Sequence, residues 1–398
     1  MSPKPPTHPL LIANLIAQLA FGLLAMTICI PSMQEWGAIF DAGQPAVQLT
    51  FSGYVVAYGC LQLLYGPLSD RVGRKKVLMT GLTLAFVGSV LAALAPGLPS
   101  LTAARVLQGA GCAAGMVVGR AMVQDLFSGP ERTRVMAYVG MCMGLCPPAA
   151  TILGGQLHVR VGWQANFVLM AVLAAGLWVA AWRGLPAHQP HTTVQPHWLR
   201  AMGAAYARLA REPAFLLYVS ILSMTAATFY TFLGGAPIVL GSYGVGPDRV
   251  GFYIMFIPLS YIVGSFITSR LSHRVPDAAM AQAGHTCTVA GVGLMLALGL
   301  AGVHSPLAFA LPLVLMGAGH GLLMPSTLGG TVGVIPALAG AAAAVAGLMQ
   351  QLMGATGGYL VGLVPHQGSV NLAWLMLAFA VSGAAAQVLL RRLQRRFA

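Results

Sequence analysis

Gly66-Pro67-Leu68-Ser69-Asp70-Arg71-Val72-Gly73-Arg74-Lys75-Lys76 gathers four cations around one carboxylate, Asp70. Glycine relieves backbone crowding, so Gly66 and Gly73 mark the string as a tight turn. Its flanks, 47–67 and 77–95, are apolar, and about 20 such residues cross a hydrocarbon core about 30 Å thick. The string therefore joins two membrane spans, and its basic cluster holds the turn on the inner side.

Working outward, the same reading finds twelve apolar runs, near 10–31, 47–67, 77–95, 100–124, 133–156, 163–182, 213–240, 249–269, 279–303, 306–331, 337–363 and 370–390. They predict an all-α integral membrane protein, and short loops leave no room for a large soluble domain. Composition agrees: 57% of the 398 residues are hydrophobic and 7% are charged, against about 25% charged in soluble proteins. The first run lacks an A-x-A cleavage site and is expected to be retained as span 1. With the N-terminus inside, seventeen of the 21 Lys and Arg fall in inner loops, Arg160 and Arg249 fall outside, and Arg105 and Arg120 lie within a span. This predicts both termini in the cytoplasm. It also accounts for the net charge of +13 without a nucleic-acid partner.

The longest polar stretch, from Arg183 to Glu212, divides six spans from six. Residues 1–183 and 213–398 are expected to form two six-helix bundles joined by a cytoplasmic linker, 184–212. Pro186 to Pro196 reads as a flexible tether, and His197 to Glu212 as a short amphipathic helix lying against headgroups or water. Linker histidines His188, His191 and His197, and the pair Cys142 and Cys146, are weak metal candidates, better read as solvated and packing residues. At an offset of 203, Leu68-Ser69-x-Arg71-Val72 meets Leu271-Ser272-x-Arg274-Val275, Gly154-Gly155-x-Leu157 meets Gly357-Gly358-x-Leu360, and Tyr58 meets Tyr261. Two parallel six-helix repeats with a site at their interface are a transporter architecture.

The opening string resembles the G-x-L-x-D-R-x-G-R-K signature of the major facilitator superfamily, and Leu101-x-x-x-Arg105-x-x-Gln108-Gly109 resembles that family's second motif. Span 5 carries Gly140-x-x-x-Gly144, Pro147-Pro148 and Gly154-Gly155, related to the G-x-x-x-G-P-x-x-G-G motif of drug:proton antiporters, with helix-bending prolines and small packing residues. It departs from that motif, since Cys146-Pro147 replaces Gly-Pro. The departure, Arg120 with Asp125-Leu126-Phe127, and Gly162-Trp163 resemble the bicyclomycin-resistance (Bcr/CflA) branch of bacterial efflux pumps. The resemblance implies a charge relay of Asp70, Arg74 and Asp125, with Arg71 and Arg120 beside it. A helix N-terminus near Pro336 is the expected dipole partner of Asp70.

An arginine inside a span costs roughly 2.5–3.5 kcal/mol on insertion scales and normally faces a cavity or a partner. Arg105 is therefore expected on the cavity wall, with snorkelling to the outer interface as the alternative. By family analogy, spans 1, 2, 4, 5, 7, 8, 10 and 11 line the cavity. The substrate candidates are Gln18, Phe21, Tyr54, Tyr58, Arg105, Gln108, Phe229, Tyr230, Tyr253, Tyr261, His320 and Gln350, aromatics for apolar contact and polar tips for orientation. With one arginine and no certain acid, a neutral or anionic amphipathic molecule fits better than a dication.

No phosphate-binding G-x-x-x-x-G-K-[ST] loop occurs, so no cofactor is expected and a proton gradient is the expected energy source. Relatives in the drug-efflux branch place an acid about four residues before a span-1 proline; before Pro31 that position is Thr27, which cannot titrate. His320, among small residues, and Glu35, near the outer mouth, are the coupling candidates, with a packing histidine and an exposed acid as their plainer readings. The prediction is a monomeric, non-enzymatic exporter of drugs or small metabolites in the lipid of the bacterial inner membrane. An importer or facilitator on the same fold is the alternative; a membrane sensor or an intramembrane enzyme fits less well.

Overall fold

Backbone groups inside hydrocarbon must be satisfied within their own segment, so apolar runs of this length fold as helices. A computed structural model describes residues 9–186 and 198–397, helical with no strand among them. The twelve spans are, in order, Pro9–Thr27, Gln44–Val72, Arg74–Ala93, Leu98–Leu126, Gly129–Val161, Gln164–Gly184, Pro213–Ser242, Pro247–Leu271, Asp277–Leu300, Pro306–Gly333, Pro336–Leu363 and Val370–Arg395. Several outrun their apolar cores; span 5 extends over 33 residues and stays helical through Pro147 and Pro148. Span 8 breaks at Met255, and span 10 breaks between Ala310 and Leu313. Each break lies beside a proline, Pro258 or Pro312, whose missing N–H and bulky ring disfavour a continuous helix. Trp198–Leu209 forms the linker helix. Tether residues 187–197, His188, His191 and His197 among them, lie outside the described residues.

The repeat seen in the sequence reappears in the packing. Gly81 lies against Gly111, Gly109 against Tyr54 and Gly154 against Ile28, so closely that a Cβ would collide with the facing atoms. In the second half Gly284 lies against Gly319, Gly317 against Ile257 and Gly357 against Thr231 in the same way. Spans 1, 2, 3 and 5 thus map onto spans 7, 8, 9 and 11 at 203 residues, whereas span 4 maps onto span 10 at 208. The five extra residues fall between spans 9 and 10.

The halves meet along two seams. One joins span 2 to span 11 and the other span 5 to span 8. At the end remote from the termini both are tight: Gly362 abuts Pro45, Gly155 abuts Pro247 and Gly251 abuts Ile152. Side-chain donors stitch this end to carbonyls of the opposite half. Gln34 Nε2 donates to Pro237 (3.0 Å) and Val245 (2.9 Å), Gln48 Nε2 to Gly234 (3.0 Å), Ser52 Oγ to Ala355 (2.9 Å) and Gln156 Nε2 to Asp248 (3.2 Å). The seams continue as far as Gly347 beside Gln62 and Gly144 beside Ile262; a Cβ at Gly140 or Gly340, one and two turns further on, would meet nothing. The cleft is closed at the far end and open toward the termini.

Candidate functional site

The charged turn stands at the open end. Gly73, with φ of 104°, takes the left-handed backbone that favours glycine and lets span 3 follow span 2 directly. Arg74 bridges the expected acids, Nη1 to Asp70 Oδ1 at 2.5 Å and Nε to Asp125 Oδ2 at 3.1 Å, and also donates to Ser69 Oγ at 2.6 Å. Lys75 Nζ donates to the carbonyls of Trp182 and Leu185 at the end of span 6, where a cation complements the helix dipole. Arg71 is half-buried in the same turn. Pro336–Leu338 is a 3-10 turn that leads directly into the span-11 helix at Ala339, while Asp70, half exposed, pairs with Arg74.

Arg105 requires correction. It is 0% exposed and lies neither on a cavity wall nor at the interface. Nη1 donates to Ala25 O (2.8 Å) and Gln108 Oε1 (2.6 Å), Nη2 donates to Met26 O (3.3 Å), and the guanidinium lies 4.2 Å over the Tyr54 ring. Gln108 Nε2 continues the network to Ser89 Oγ, and Tyr54 OH donates to Gly22 O. Span 1 stops at Thr27, before Pro31. A helix end leaves carbonyls without N–H partners and with partial negative charge. Arg105 caps those carbonyls; among the described residues it has no ion pair. Gln18 likewise turns into its own half, donating to Asn14 and to Leu177 O of span 6. Thr27, at the family's acid position, is buried and donates to Leu23 O.

The residues that meet between the halves are Tyr58, Tyr230, Phe51 and Gln351. Tyr230 OH bonds Gln351 Oε1 at 3.0 Å, and its ring stands edge-on to Phe51, 5.9 Å between centroids. Tyr58 OH is buried without a hydrogen-bond partner, with Tyr230, Cys112, Cys146 and Arg120 close enough to act on it electrostatically. Arg120 is exposed, and with Gln62 it stands on the open side of this floor. Phe21 is buried, while Phe229, Tyr253 and Tyr261 are half-buried. Gln350 turns to its own helix, donating to Ala346 O. Gln351 was the missed residue, and its signal lay in spacing: Gly347, Gln351, Gly354 and Gly358 recur at helical intervals on the face that spans 2 and 7 approach.

The two coupling candidates lie apart from this floor. His320 does not face the cleft; it packs inside the second half beside His285. Glu35 sits at the closed end and pairs with His158 Nε2 at 2.9 Å. In span 5, Gly144 packs on Ile262, Gly154 and Gly155 allow close approach, and Thr151 Oγ1 bonds the carbonyls of Pro147 and Pro148.

Known proteins bear out the architecture. Multidrug resistance protein D of Escherichia coli (strain K12) is 28% identical over 368 residues, covering 92% of each chain. A bicyclomycin resistance protein homolog of Haemophilus influenzae is 26% identical over 65% of this chain and 66% of its own. Among solved structures, a peptide transporter POT in complex with sulfate superposes with a TM-score of 0.79 at 14% identity, covering 99% of this chain and 96% of that one. This last likeness concerns the fold alone. A profile of the Major Facilitator Superfamily matches residues 10–358. With twelve membrane spans in two repeats and the relay of Asp70, Arg74 and Asp125 on its charged turn, the chain is a multi-pass membrane protein that belongs to the major facilitator superfamily.

Proposed function

We propose that the chain exports drugs or small amphipathic metabolites across the bacterial inner membrane by alternating access, with the proton gradient as its energy source and no cofactor. The observation that carries this reading is that the seams between the halves are tight at the far end and part at the end with the basic turn, with Tyr58, Tyr230 and Gln351 just beneath the parting. Positive charge marks the cytoplasmic side, so both termini and the open mouth face the cytoplasm, where an exporter collects its cargo. The resistance functions named in two relatives support the same direction.

The floor suits an amphipathic ligand. Tyr58 and Tyr230 offer ring area and hydroxyls, Gln351 offers an amide, and Arg120 favours neutral or anionic cargo. For turnover, the donors Gln34, Gln48, Ser52 and Gln156 release the opposite half at the far end while the charged turn closes the cytoplasmic mouth. Each of those bonds ends on a backbone carbonyl that water can also serve, so each is worth only about 0.5–1.5 kcal/mol net. An equilibrium of that kind is readily biased by ligand or proton.

The test is susceptibility and intracellular accumulation across a compound panel in cells with and without the gene. Export predicts lower accumulation and higher resistance when the chain is present. Unchanged values for every compound would count against it, and greater accumulation would favour an importer.

A further inference from the structure

A second polar cluster lies inside the second half, away from the cleft. His285 of span 9 and His320 of span 10 are 4% and 5% exposed. They line a crevice with Thr225 and Thr228 of span 7 and Thr288 of span 9, too narrow in this conformation to admit water. Each threonine hydroxyl donates to a carbonyl of its own helix at 2.8–2.9 Å, leaving its lone pairs for the crevice. Nε2 of both histidines is buried and has no partner. Leaving a buried polar atom unpaired costs about 1–3 kcal/mol, so two in one crevice call for an explanation.

Folding does not supply one. By the repeat, the five residues correspond to Gly22, Ala25, Leu82, Ala85 and Cys112, all buried. The first half builds the same four-helix junction without histidine or threonine. We propose that His285 and His320 form a binding site for one proton, filled when the crevice hydrates and emptied when it closes. The proposal rests on the proton-driven reading above and supplies the carrier that Thr27 cannot be.

The charges around the crevice allow at most one proton. Span 12 presents Arg391, which acts on His285, while each imidazole is the other's neighbour, so both cannot be cationic together. Span 7 lines the crevice with threonines; its Tyr218 lies further along, bonded to Gln394 of span 12. Span 8 packs on span 10 through Thr268 Oγ1, which reaches Gly321 and Leu322 carbonyls, and no carboxylate lines the site. A proton there is unsupported unless water enters. Spans 9 and 10 are locked backbone to backbone at Gly284 and Gly319, so opening must come from span 7 or span 12. Span 7 also carries Tyr230, a residue of the cleft floor, which links proton occupancy to cargo.

The test uses full-length protein in proteoliposomes with radiolabelled chloramphenicol as a neutral probe. An imposed pH gradient drives accumulation by the wild type. In His285→Gln/His320→Gln that drive falls by about tenfold or more, the size of an ordinary coupling, while gradient-free exchange of labelled for unlabelled probe persists and reports a folded carrier. A double variant still driven at the wild-type level overturns the proton site and leaves the exporter reading intact. A wild type that transports but ignores the gradient overturns the proton drive itself. Site-resolved hydrogen exchange at the histidine C2 positions needs neither variant nor cargo. One of the two rings titrating across the gradient's pH range supports the site, and two unresponsive rings overturn it.

Discussion

In the first half Tyr54, Ser89, Arg105 and Gln108 form a buried network in which each side chain finds a partner. Their counterparts in the second half are Ile257, Val292, Leu313 and Met316, all buried. The exchange runs the other way around His285 and His320, whose counterparts are Leu82 and Cys112. One helical scaffold therefore accepts either chemistry at either place, and the fold imposes neither cluster. What differs is the task. Span 1 stops before Pro31 and leaves carbonyls for Arg105 to cap, whereas span 7 runs on through Gly234, the counterpart of Pro31, to Ser242. Leu313 consequently has no helix end to serve. The first cluster is tied together through every side chain, with only the Arg105 Nε left over, and is structural; in the second, both histidines keep an unpartnered Nε2 that is free to respond.

That contrast can be broken most severely at Arg105. Arg105→Ala strands the Ala25 and Met26 carbonyls and the Gln108 amide in a dry interior. A loss of about 1–3 kcal/mol for each stranded acceptor is expected, read as a lower Tm of the purified protein, with Arg105→Lys recovering only part because one ammonium cannot reproduce the fork. An unchanged Tm with weakened cargo binding would return Arg105 to the cavity wall. Next in size is the coupling of this cap to the helix end. Pro31→Gly restores an N–H where span 7 has one, and in a double-mutant cycle it should reduce the cost of Arg105→Ala by about 1–2 kcal/mol.

Smaller effects sharpen the second cluster and the floor. Giving the second half the first half's residues, His285→Leu with His320→Cys, removes two unsatisfied nitrogens and should raise stability by about 1 kcal/mol, measured by the same thermal melts. A fall of that size would make the histidines structural. Tyr58→Phe deletes a hydroxyl that has no partner, so stability should move by less than about 0.5 kcal/mol. Apparent affinity for a transported probe should weaken several-fold, because cargo is the partner this hydroxyl lacks; unaltered affinity would remove Tyr58 from the site.

Much of this was legible in the chain. Span length, the charged turn and the 203-residue offset follow from hydrophobicity, glycine and charge, which act locally. The special status of Arg105 was legible too, since an intramembrane cation must have a reason. Its direction was not: helical spacing places Arg105 and Gln108 on one face without saying which neighbour that face meets. The His320–Cys112 correspondence was hidden by the five residues inserted ahead of span 10, which shift the register from 203 to 208. The pairing of Asp70 and Asp125 with Arg74 was legible through the family resemblance of the charged turn. Gln351 could have been chosen over Gln350 from the phase of its flanking glycines.

The most direct measurement is chloramphenicol movement in everted membrane vesicles, whose cytoplasmic face is outward and whose lumen acidifies on energisation. Vesicles carrying the chain should accumulate the probe when energised and lose that accumulation when the pH gradient is collapsed. Accumulation by right-side-out vesicles instead, with loss from energised everted ones, would contradict an exporter whose cleft gathers cargo from the cytoplasm.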